Sequence, residues 1–78
     1  MSEDPIFERV RHVVADTFGI DPASIMPETT AEDVDGWDSV AHASLIVGLE
    51  SAFGKTIPMD RAFDVPNIGA LASLLRSL

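Results

Sequence analysis

The chain has 78 residues, no cysteine, and thirteen acidic against five basic side chains, for a net charge of −8. The missing cysteines exclude a disulfide framework, thiolate metal sites and a thiol nucleophile of the protein's own. The negative balance argues against nucleic acid, whose phosphates attract Lys and Arg, and suits a chain steered toward basic partner surfaces.

A hydrophobic content of 46% is too high for a disordered tail, yet no apolar run approaches the roughly 20 residues of a membrane span. The sequence Met1-Ser2-Glu3-Asp4 is acidic and lacks a signal-peptide pattern. These features lead us to expect one cytoplasmic, monomeric domain over residues 1–78, and Met1 fits a free-standing chain. A chain this short buries only about 60% of its unfolded surface, so its core must be compact.

Residues 4–18 read as a first helix. Asp4 is a candidate cap, and Pro5 stands at the first helical position, where its missing N–H costs nothing. Ile6, Val10, Val13 and Thr17 share one face, which Phe7, Val14 and Phe18 widen, while Glu8, Arg11, His12 and Asp16 fall largely outside it. Gly19 is a natural left-handed stop. Residues 20–38 read as a long loop with little regular structure, broken by Pro22 and Pro27 and pinned by Ile20, Ile25 and Val34. Glu28, Glu32, Asp33, Asp35 and Asp38 crowd its end with no base among them. Two readings stand: a solvated run that favours the head of the next helix, or a docking patch.

Residues 39–53 form the second helix, capped by Asp38 or Ser39. One apolar stripe holds His42, Leu45, Ile46, Leu49 and Phe53, and is expected to face the core. Val40, Ala43 and Val47 make a second, well-separated stripe that either packs under the loop or stays exposed as a contact surface. Gly48 costs roughly 1 kcal/mol against Ala in a helix interior, which a close neighbouring backbone would explain. Gly54 ends the helix. Ile57-Pro58, a short helical turn over residues 60–64 and Pro66 follow. Asn67 then caps a last helix that carries Ile68, Leu71, Ala72, Leu75 and Leu78 inward. The expected fold is all-α: a bundle of three longer helices and one short one, with the long loop between the first two.

At the head of the second helix the run Asp35-Gly36-Trp37-Asp38-Ser39-Val40 holds a serine on a rigid element in an acidic turn. Asp38-Ser39-Val40 resembles the Asp-Ser-Leu motif of the acyl and peptidyl carrier proteins. The resemblance extends over nearly the whole chain: the amphipathic first helix, the loop with apolar anchors, Phe53, Ile57-Pro58, the short third helix and the apolar fourth. It implies that Ser39 is esterified with 4'-phosphopantetheine, whose thiol carries an acyl group, and that the chain is a carrier and not an enzyme. It further implies that Asp38, Val40, Ala43 and Val47 face partner enzymes: a phosphopantetheinyl transferase and acyl-loading and acyl-processing enzymes with basic docking surfaces. Asp35 belongs to the same patch, and Trp37 is either a loop anchor or a partner contact. His42, Leu45, Ile46, Leu49 and Phe53 would line the cleft for the acyl chain. No metal site is expected.

The chain also departs from the family's pattern. Carriers of fatty acid synthesis usually have several carboxylates along the second helix, where this chain has Ala41, Ser44, Ser51 and Ala52 and keeps only Glu50. Gly36-Trp37-Asp38-Ser39 followed by His42 is more similar to specialised carriers of polyketide, aminoacyl or modified-lipid pathways. An unmodified helical interaction module is the alternative from another class. A serine hydrolase is disfavoured because Trp37 and Ala41 occupy the glycine places of the nucleophile elbow. A calcium loop with Gly36 at its invariant glycine would put Ala31 and His42 at its ends, and both fail as ligands.

Overall fold

The computed structural model describes residues 4–78; the expectation drawn from Met1-Ser2-Glu3 lies outside them. Four helices follow in order: α1 (Pro5–Phe18), α2 (Ser39–Phe53), α3 (Met59–Ala62) and α4 (Ile68–Ser77). No strand occurs among the described residues. The fold is the all-α bundle expected, and the local reason is punctuation. Asp4 accepts from the amides of Ile6 and Phe7 at the head of α1. Asn67 accepts from Ala70 N–H at the head of α4, at 2.8 Å. Gly19 and Gly54 close α1 and α2 at φ 66° and 63°, a left-handed conformation that costs other residues energy.

The core forms where α1 meets α2 and α4. Val10 and Val14 of α1, Leu45 and Leu49 of α2 and Leu75 of α4 are fully buried. Side chains of this size each contribute about 1.5–3 kcal/mol by leaving water. The buried face of α1 is centred on Phe7, Val10 and Val14, with Ala15 added. Ile6 and Val13 are only half-buried flanks and Thr17 is exposed, its hydroxyl donating to Val13 C=O at 2.8 Å. The expected stripe was therefore rotated by part of a turn, since Phe7 and Val14 had been placed at its margin. Leu74 is buried on α4 as well, beside the five residues expected to point inward.

The loop between α1 and α2 is more ordered than its prolines suggest. One-turn 3-10 segments occur at Pro22–Ser24 and Ala31–Asp33. Asp21 caps the first, and Thr30 and Asp33 bond reciprocally across the second. Ile25 and Val34 are buried and Ile20 is half-buried, as expected of anchors. Two backbone bonds tie the loop to the head of α4: Ile68 N–H donates to Thr29 C=O at 2.9 Å and Gly69 N–H to Pro27 C=O at 2.7 Å. A long connection survives in a small domain when its polar backbone is satisfied in this way.

Two expectations are corrected. The short helix begins directly after Pro58 and runs from Met59, one residue earlier than expected, to Ala62. Gly48 has no close backbone beside it: a Cβ there would meet only the Val13 side chain at 3.5 Å. The close approach lies at Gly69, whose Cβ would stand 3.0 Å from the Pro27 carbonyl oxygen.

Candidate functional site

The site is built on the head of α2. Asp38, in extended backbone, is the cap: its carboxylate accepts from Ala41 N–H at 2.8 Å and its carbonyl from His42 N–H at 2.8 Å. Ser39 is therefore the first helical residue and not the cap, which removes the structural use of its hydroxyl left open by the sequence. Its side chain is exposed, and its Oγ makes no hydrogen bond among the described residues. The first amides of a helix have no partner within it and carry the positive end of its dipole. Those of Ala41 and His42 are taken by Asp38, which leaves the amides of Ser39 and Val40 for a ligand. A free hydroxyl on a rigid element, beside free amides at a helix head, is an arrangement that accepts a phosphate ester.

Beside Ser39 lies a cleft of about 330 Å³. Its loop side is Thr29, Ala31 and Trp37, and its α2 side is Asp38, Ser39 and His42. The opposite wall is Phe63, Val65 and Pro66 after α3, with the cap Asn67 and with Ile68 and Leu71 of α4. Among the five residues expected to line an acyl cleft, the structure brings only His42 to this one. Leu45, Ile46 and Leu49 are packed in the core, and Phe53 is half-buried at the far end of α2. The helical wheel groups them correctly by direction but is blind to depth along the axis. The wall formed by Phe63, Val65 and Pro66 carried no periodic signal that would have singled it out.

His42 is half-buried and fully bonded. Trp37 Nε1–H donates to its Nδ1 at 3.0 Å. An indole nitrogen can only donate, so Nδ1 accepts, and Nε2 carries the proton that bonds Ala62 C=O at 2.8 Å. Four rings stand in a row: Phe18 stacks on Trp37 with centroids 4.8 Å apart, Trp37 on His42 at 5.9 Å, and His42 and Phe63 meet edge-to-face at 4.6 Å. Trp37 thus anchors the loop to the end of α1.

The second stripe of α2 is open. Val40 is 76% and Val47 62% exposed, with Ala43 half-buried between them. Asp35 is exposed in the turn before the helix, as is Asp38. Glu50, the one carboxylate of α2, is spent on the fold: its Oε2 accepts from Ile57 N–H at 2.8 Å. No cluster of metal-ligating side chains occurs among the described residues, and no described helix is long and apolar enough to cross a membrane.

Comparison with known proteins agrees with this geometry. The family model described as phosphopantetheine attachment site matches residues 8–75. The chain is 36% identical over 78 residues to an acyl carrier protein of Lactobacillus acidophilus, covering 99% of this chain and 96% of the relative. It is 40% identical over 63 residues to an acyl carrier protein of Thermosynechococcus vestitus, covering 80% and 76% respectively. The chain belongs to the acyl carrier protein family, whose members hold a covalent 4'-phosphopantetheine and carry groups for other enzymes without being enzymes themselves.

Proposed function

We propose that Ser39 is the attachment point of the 4'-phosphopantetheine arm, and that the chain carries acyl groups through a fatty acid, modified-lipid or polyketide-type pathway of the cytoplasm. The observation that supports this most is the serine's own state. Its hydroxyl is exposed at the first position of α2 and unbonded among the described residues, while Asp38 beside it does the capping. When attached, the arm supplies the thiol that holds acyl groups as thioesters. The protein's residues present it. The amides of Ser39 and Val40 and the dipole of α2 favour the phosphate's charge. The Asp38 carboxylate is held back on Ala41 N–H, which limits its repulsion.

Partner enzymes meet the chain, in this reading, on the face of Val40, Ala43 and Val47. The one carboxylate of α2, Glu50, is turned toward Ile57 N–H, so an apolar seat on the partner would receive the face of Val40, Ala43 and Val47. Basic groups on the partner would reach the exposed acids Glu28, Glu32 and Asp35 in the loop.

The test is labelling with a fluorescent coenzyme A and a broad-specificity phosphopantetheinyl transferase. The wild-type chain should become fluorescent and Ser39→Ala should not. A labelled Ser39→Ala, or an unlabelled wild type, would refute the assignment.

A further inference from the structure

We infer that His42 is a positioning residue for the arm: its ring clasps together the two walls of the cleft into which Ser39 opens. The inference rests on the proposed attachment at Ser39. Ser39 and His42 are three residues apart on α2, hence neighbours on its surface, and both line the cleft. Where Thr29 and Ile68 line the cleft, the backbone bonds from Ile68 to Thr29 and from Gly69 to Pro27 fix the loop against α4. Beside Ser39, His42 is the one side chain among the described residues that bonds to both sides: it accepts from Trp37 of the loop and donates to Ala62 of α3.

The α3 side has particular need of this link. A helix of four residues cannot hold itself together in water, and Pro58 at its head offers no side-chain cap. The carbonyl of Ala62 is one of the orphan acceptors at its end, and His42 supplies its donor. Phe63, the next residue, packs its ring edge-to-face with the same imidazole. One side chain in one tautomer therefore sets where α3 and Phe63 stand relative to Trp37, and so the width of the cleft beside Ser39.

The test compares the wild type with His42→Leu, which removes both bonds, and Trp37→Phe, which keeps a ring against Phe18 but removes the indole donor. His42→Gln, which keeps a donor for Ala62, completes the set. The first readout is amide hydrogen exchange in the unmodified chain. Exchange of Ala62 N–H and its neighbours in α3 should rise roughly fivefold in His42→Leu, the factor that one neutral hydrogen bond commands. It should return to within about twofold of wild type in His42→Gln.

The second readout is thioester shielding in the butyryl-loaded chains. Hydroxylamine attacks the thioester carbonyl, forming the hydroxamate and freeing the thiol. Cleavage should be faster by a similar factor in His42→Leu and Trp37→Phe, with recovery in His42→Gln. Equal cleavage rates in all four loaded chains would overturn the inference, as would unchanged exchange in His42→Leu. A wild type that takes no arm at Ser39 would overturn the underlying attachment instead, and the clasp's role toward the arm with it.

Discussion

Asp38 and Ser39 divide between them two jobs that one residue often does alone. A single serine at the cap position would spend its hydroxyl on a backbone amide. Here the aspartate takes that amide and the serine is left free. Asp38→Ala should therefore lower stability by about 1 kcal/mol, the usual worth of a cap, whereas Asp38→Asn, a cap of equal quality, should leave it unchanged. Chemical denaturation of the three proteins checks this. If the charge also engages the transferase, Asp38→Asn slows modification without lowering stability. The same scale carries a prediction for His42: nitrogen-15 NMR should find the neutral ring with its proton on Nε2, because Trp37 can only donate to Nδ1.

At the scale of the element, the two helical glycines invert the expectation that the sequence raises. Gly48 faces the Val13 side chain at ordinary contact distance, so Gly48→Ala should stabilise α2 by about 1 kcal/mol. Gly69→Ala forces a methyl to 3.0 Å from the Pro27 carbonyl at the junction of loop and α4, and should destabilise by about 1 kcal/mol or more. Melting curves of the pair separate the two. Helix boundaries were legible because they are local: Asp4-Pro5, Gly19, Asp38-Ser39, Gly54 and Asn67 each act within a turn of where they stand. The exposed stripe was legible as a stripe, and its fate required the neighbours. Because Val47 is largely exposed, Val47→Asp should shift stability by no more than about 0.5 kcal/mol. It should still weaken docking of the transferase, seen as a raised KM for the protein substrate.

For the molecule as a whole, what escaped the sequence is what joins distant segments. The link from Trp37 through His42 to Ala62 spans loop, α2 and α3, and no periodicity encodes it. The cleft likewise has part of one wall in Phe63, Val65 and Pro66, which lack a pattern of their own. The chain's acyl-carrier identity was nevertheless readable, since the serine motif sits in a chain whose helices, loop and prolines all agree with it. The core that supports this arrangement is small, so it tolerates little. Leu45→Ala, at a fully buried site on α2, should cost about 2–5 kcal/mol. That is a large part of a small domain's total stability, and the loss is measurable as a collapse of the denaturation midpoint.

On the proposed function, this arrangement serves one exposed hydroxyl. The most direct measurement is the intact mass of the chain purified from its native host, followed by fragmentation across residues 35–46. The account predicts the added mass of one phosphopantetheine, located on Ser39. A native chain that bears no arm, or bears it at another residue, would contradict it.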